Sequence, residues 1–122
     1  MLFRSGRTSA VGRVGKTPVV MLPGAPDQAL AAWWTLVLPA LDRLAGRRPR
    51  KTLGLPLARK IASSVGLAEV VLLERKDSAW ATLAAGELSL EAIARAEAWL
   101  IVPGGSEGFA AAAAVDAYML RE

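Results

Sequence analysis

Thr17-Pro18-Val19-Val20-Met21-Leu22-Pro23-Gly24-Ala25-Pro26 is the stretch whose reading decides the fold. Thr17 to Leu22 is β-branched and apolar, and reads as a buried strand. Two prolines and a glycine then force a tight turn. From Asp27 the spacing of Leu30, Trp33, Trp34, Val37, Leu38, Leu41 and Leu44 is helical, with Gly46 as the stop. A strand turning sharply into a helix aims the free N–H groups of the first helical turn at one point. Such a point suits an anion, a phosphate or another oxyanion. The same turn also occurs in α/β units that bind nothing there.

Composition narrows the chemistry. Apolar residues make up 53% of the 122, enough for a packed core, and the 21% charged share argues against disorder. The chain has no cysteine, which excludes a disulfide frame and thiolate chemistry and is compatible with the cytoplasm. It has no histidine either, which removes Ser/His and Cys/His nucleophiles, histidine-ligated metals and a histidine general base. The longest uncharged run, Gln28 to Leu41, is too short to span a bilayer and is interrupted by Pro39. No apolar signal core stands at the N-terminus, so nothing points to export. Charge is divided: residues 1–60 carry eleven Lys/Arg against Asp27 and Asp42, a balance of +9, while residues 61–122 carry four against nine Asp/Glu, a balance of −5.

Met1 to Lys16 is rich in Gly, Arg and Ser, with weak alternation at Val11 and Val14, and reads as a loop leading into an edge strand. A single strand–helix unit cannot bury both faces, so the front of the chain is expected to be the tail of a larger α/β domain. Pro39 predicts a kink or restart of the helix. Gly46 to Lys51 reads as a charged linker and domain boundary. Beyond it the pattern changes to short strands. Lys51 to Ser63 alternates through Leu53, Leu55 and Leu57, with Pro56 suggesting an edge or bulge. Leu67 to Glu74 is a strand, Arg75 to Ser78 a turn, and Ala79 to Ala84 the returning arm of a hairpin. Ser89 to Ala96 is a short helix with Ser89 as its cap. Trp99 to Val102 is a strand stopped by Pro103-Gly104-Gly105, and Ala113 to Leu120 is a last strand, although Ala110–Ala114 could equally pass as helix.

The order of these motifs resembles the molybdopterin molybdenumtransferases, the MoeA-type proteins that include the C-terminal domain of gephyrin. That family carries Leu-Pro-Gly-Asn-Pro between strand and helix, and this chain has Leu22-Pro23-Gly24-Ala25-Pro26. The family's following helix often ends as Pro-Ala-Leu-x-x-Leu-Ala-Gly, which stands here as Pro39-Ala40-Leu41-Asp42-Arg43-Leu44-Ala45-Gly46. Arg4-Ser5-Gly6-Arg7 looks like an altered Lys/Arg-Pro-Gly-Lys/Arg element, and Ser89–Ala96, Trp99–Pro103 and Glu107–Leu120 are similar to the family's closing helix and strands. The resemblance implies an α+β chain. Residues 1–46 would be the last strand and helix of an α/β molybdopterin-binding domain, residues 47–51 a linker, and residues 52–122 a small β-rich, barrel-like domain with one short helix. It further implies that the parent enzyme inserts molybdate into adenylated molybdopterin with Mg²⁺, and that the full-length protein is a cytoplasmic homodimer without membrane or nucleic-acid partners. In the cleft, Pro23, Gly24 and Pro26 would shape the wall, and Arg7 would face phosphate or molybdate oxygens, an arginine suiting either through paired donors and permanent charge.

This chain departs from the pattern in places. Ala25 stands where the family has Asn, a cap side chain worth about 1 kcal/mol. Asp27 favours the helix dipole yet repels an anionic guest. Leu67 stands where the family's pattern has an Arg, and the family's Asp-rich metal and catalytic segments find no counterpart. No catalytic or metal-ligating residue is therefore assigned, Mg²⁺ is not expected to be held by this chain's own side chains, and the fragment alone is expected to be inactive. The alternative is a non-enzymatic module whose basic front docks nucleic acid or an acidic protein, but Arg47, Arg48, Arg50 and Lys51 have no interleaved aromatics and read more simply as a solvated linker. Of the adjacent Trp33 and Trp34, about 100° apart on a helix, one is expected in the core and one at an interface, while Trp80 and Trp99 are expected in the core. Glu87, Glu91, Glu97 and Glu107 read as scattered solvent-facing carboxylates. Gly104 to Gly108 lacks the Lys-Ser/Thr of a phosphate loop and reads as a turn.

Overall fold

The computed structural model describes residues 10–62 and 68–120. Arg4 and Arg7 lie outside them. Its centre is a five-stranded antiparallel sheet built from β3 (Thr52–Pro56), β5 (Glu69–Lys76), β6 (Ala79–Ala85), β7 (Ala98–Val102) and β9 (Ala114–Met119), in the order β3-β9-β7-β5-β6. Sheets twist, and here the two edges approach each other. Leu57 forms an isolated bridge to Trp80, and the Ala58 amide donates to the Trp80 carbonyl at 2.9 Å. The sheet is thus curled into a half-barrel, a small β-rich unit with the single short helix α3 (Leu90–Arg95) lying outside it.

Strand periodicity explains the unbroken apolar run of β5. Alternate residues point to opposite faces. Val71 and Leu73 enter the inside of the curl with Leu57, Trp80, Leu100 and Val115. Val70 and Leu72 face the other way, toward Leu88 and Ala92 of the α3 region, Trp99, and Ala31 and Trp34 of the front half. Both faces are covered, so both need apolar side chains. The Trp80 indole N–H is buried without a partner among the described residues, so burial of its ring must outweigh the lost hydrogen bond.

The predicted hairpin is β5–β6, and its tight turn is confined to Asp77 and Ser78, with φ of 52° and 60°, the left-handed pair that the twist of a two-residue hairpin demands. Ser89 caps α3, its hydroxyl accepting the Ala92 amide at 3.1 Å. Ser89→Ala is expected to lower stability by about 1 kcal/mol, read as a shift of the urea midpoint at unchanged slope. The Ala110–Ala114 ambiguity resolves against helix: Ala112 sits at φ 65° in a turn and β9 begins at Ala114. Two elements were not foreseen. β4 (Ile61–Ala62) pairs with β8 (Gly108–Phe109), so the glycine-rich loop read as a turn ends in a strand.

The front half differs from expectation in one respect. β2 (Thr17–Met21) is a strand, but it is neither buried nor alone. It pairs antiparallel with β1 (Ala10–Val14) through Gly15, which has φ 61°. Both faces of this hairpin are largely exposed, with Met21 at 65%. The predicted helix begins as α1 (Pro26–Ala32), passes through one wider π-helical stretch at Trp33–Val37, and continues as α2 (Leu38–Leu44). The Leu38 amide donates to Trp33, five residues back. Pro39, which has no N–H and crowds the preceding turn, follows directly, so the kink takes the form of a π-bulge. Gly46, at φ 67°, ends the helix in a Schellman motif: the Arg47 amide donates to the Asp42 carbonyl at 2.8 Å and the Gly46 amide to Arg43 at 3.2 Å. No helix among the described residues is long and apolar enough to cross a membrane.

Candidate functional site

The turn read as an anion site is built as follows. Pro23 is buried, while Gly24, Ala25 and Pro26 are exposed. Ala25 occupies the N-cap position in extended conformation and offers no capping side chain, and Pro26 begins the helix. An acidic side chain, Asp27, stands in the first turn of the helix. The Asp27 carboxylate accepts the Gln28 side-chain amide at 3.0 Å and the Leu88 backbone amide at 3.3 Å. The Gln28 side chain first, then the backbone amides of Leu88, Gln28 and Asp27 itself, hold its pKa below the ordinary 3.8 against the opposing effect of burial. The negative charge that the helix start attracts is therefore supplied by the chain. The same carboxylate fastens the helix start to the loop before α3.

This arrangement has a definite pH signature. A carboxyl group whose folded pKa is depressed contributes stability above its unfolded pKa and loses it as pH falls through the folded value. Asp27 thus stabilises the fold above about 3.8, and its contribution fades below that. Asp27→Asn is expected to unfold more easily than the parent at neutral pH, and thermal melts of the two should converge as pH falls below the carboxylate range.

A second constellation lies on the far side of the same helix, where α2 and residues 47–50 face the outer surface of the sheet. Trp99 is paired with Tyr118 across β7 and β9. Their rings stack with centroids 4.8 Å apart, and Trp34 stacks on Trp99 at 6.5 Å. This aromatic wall closes one side of a groove of about 320 Å³. Arg43, Arg47 and Arg50 stand along its rim. Asp42, buried at the groove's edge, takes Arg50 in a fork, Nε to Oδ2 at 2.9 Å and Nη2 to Oδ1 at 3.3 Å. One of the linker cations is therefore a structural tether. The side chains of Arg43 and Arg47 enter no ion pair among the described residues.

The tryptophans divide as expected: Trp34, Trp80 and Trp99 are buried and Trp33 is 38% exposed. Glu97 departs from the solvent-facing reading, since it accepts both the Arg75 backbone amide and its Nε, at 3.1 and 3.0 Å, and ties the end of α3 to β5. The described residues contain no group of three or more His, Cys, Asp or Glu able to hold a metal ion. The Tyr118 side of the groove escaped the sequence reading; its signal is the alternation of β9, which places Tyr118 on the face opposite Val115 and Ala117.

No family model matches this chain, and no curated protein does. Solved structures do match. The molybdopterin biosynthesis moeA protein of Pyrococcus horikoshii OT3 superimposes with a TM-score of 0.81 at 21% identity, over 98% of this chain and 31% of that one. A molybdenum cofactor biosynthesis protein of Pyrococcus furiosus gives 0.80 at 22%, over 98% and 43%. A second moeA structure from P. horikoshii gives 0.77 at 20%, over 96% and 30%. The chain has a MoeA-like fold and spans less than half the length of each of these proteins.

Proposed function

We propose that this chain is the C-terminal portion of a MoeA-like protein acting in molybdenum cofactor biosynthesis. The observation that carries the proposal is the superposition of 98% of the chain on the P. horikoshii protein, together with the ordered motifs from Leu22 to Leu120. In this reading residues 1–46 close a molybdopterin-binding domain, residues 47–51 link, and residues 52–122 form the cap of the cleft. The parent protein inserts molybdate into adenylated molybdopterin, as a homodimer in the cytoplasm. Pro23, Gly24 and Pro26 form part of the wall. Because the Asp27 carboxylate already stands in the first turn of the helix, tied to the Leu88 amide, the wall supplies shape, and recognition of phosphate or molybdate oxygens falls to Arg7.

The test is complementation. The full-length gene encoding this chain is introduced into a strain that cannot insert molybdenum, and molybdenum cofactor is measured. Restored cofactor, reduced by Arg7→Glu at unchanged protein level, is the expected result. A well-expressed protein that restores none sinks the assignment.

A further inference from the structure

We propose that the groove between α2 and the outer face of the sheet binds a planar aromatic ligand bearing an anionic group, the ring on the exposed part of Tyr118 and the anion between Arg43 and Arg47. None of the residues from Pro23 to Pro26 lines this groove, so it is separate from the cleft wall described above.

The wall comes first. Trp99 is buried between Trp34 and Tyr118, and Tyr118, outside the core clusters, remains 39% exposed while stacked on it. Its ring and the neighbouring indole border the groove rather than filling it. An incoming aromatic ring gains both apolar burial and an offset-stacked neighbour. Pro39, Pro49 and Ile101 extend the apolar surround. A groove of about 320 Å³ lies at the lower end of small-molecule sites. It holds one or two fused rings and a charged group.

Charge selects the sign of that group. The groove's carboxylate, Asp42, is neutralised by its fork to Arg50. Among the described residues no carboxylate pairs with Arg43 or Arg47, which stand as two positive charges on the same rim. Their guanidinium groups are not needed to cap the helix, because the Gly46 and Arg47 amides already satisfy its terminal carbonyls. Two permanent cations with paired donors suit a phosphate, sulfate or carboxylate. The rim is also set before any ligand arrives: the Schellman turn fixes residues 42–47, and the Asp42–Arg50 fork fixes the far end. Such preorganisation lowers the cost of binding.

The experiment uses the whole chain with guanosine 5′-monophosphate and 4-nitrophenyl phosphate as probes, followed by titration calorimetry at low salt. Guanosine (ring alone) and ribose 5-phosphate (anion alone) separate the two contributions. Saturable binding of at least one probe is expected, weakening at least about tenfold for either half-ligand. Arg43→Glu with Arg47→Glu is expected to weaken it by at least about tenfold and Tyr118→Ala by a smaller factor, both with unchanged far-UV circular dichroism. Both arginines are exposed, so these variants keep the fold. Absence of binding by both probes at about 10 mM overturns the proposal. So does ribose 5-phosphate binding as tightly as the nucleotide, or affinity unchanged in the double-arginine variant. The readout involves no molybdenum chemistry, so this inference and the complementation test fail independently.

Discussion

Gly108→Ala is expected to lower the unfolding free energy by at least about 3 kcal/mol, a large fraction of what a domain of this size has. Gly108 sits at φ 122°, where side-chain-bearing residues rarely go, and that alone costs about 1–3 kcal/mol. Sterics add to it. A Cβ at this position would stand 1.7 Å from the Ile61 carbonyl oxygen, 2.7 Å from its carbon and 3.1 Å from the Ala62 Cα. These are backbone atoms, so no rotamer change makes room. The strands must part, and among the described residues the pairing consists of Ile61 with Phe109 and Ala62 with Gly108 alone. Ile61 belongs to the core inside the curl, and Phe109 packs against it, so the break reaches the core. Gly105 is the control. A Cβ there meets nothing within 4 Å, and Gly105→Ala should change the urea midpoint little. Equal midpoints for the two variants would show that β4 and β8 contribute nothing to the fold.

That contrast also marks what the sequence could and could not disclose. Elements with a long period were legible. The β5–β6 hairpin, α3 with Ser89, β7 before Pro103 and the helix break at Pro39 each follow from local spacing, capping or proline sterics. A two-residue strand has no period, so β4 and β8 left no trace, and the loop from Gly104 to Gly108 read as a turn and nothing more. Thr17–Met21 was legible as a strand but not in its surroundings, because apolar β-branched residues signal extended backbone whether or not anything covers them. The candidate site was legible in part. The turn at Pro23–Pro26 stands where expected, yet Asp27, read as an obstacle to a guest, is held at the helix start by a contact with Leu88, far away in the sequence. The groove was invisible for the same reason: Trp34, Trp99 and Tyr118 meet only through the β7–β9 register and the docking of the kinked helix.

Trp99→Ala is expected to cost about 3–5 kcal/mol and to loosen the helical segment 26–44 from the sheet. The indole is 7% exposed and lies opposite Leu72 on one neighbour and Tyr118 on the other. Its removal leaves a cavity bounded by the strands on one side and Trp34 on the other. Trp34 loses the ring it stacks on, and Tyr118 loses the one that orders it. Trp33 is the reference, since it occupies the same helix but is 38% exposed, and Trp33→Ala should cost less than about 1 kcal/mol. A double-mutant cycle between Trp34→Ala and Trp99→Ala isolates the pair: a coupling of about 0.5–1.5 kcal/mol is expected if stacking adds to simple burial. The near-ultraviolet circular dichroism should lose its indole contribution in Trp99→Ala and keep most of it in Trp33→Ala. Strictly additive losses at Trp34 and Trp99, with the dichroism unaltered, would mean that the helix is anchored to the sheet by Ala31 and the Asp27–Leu88 contact instead.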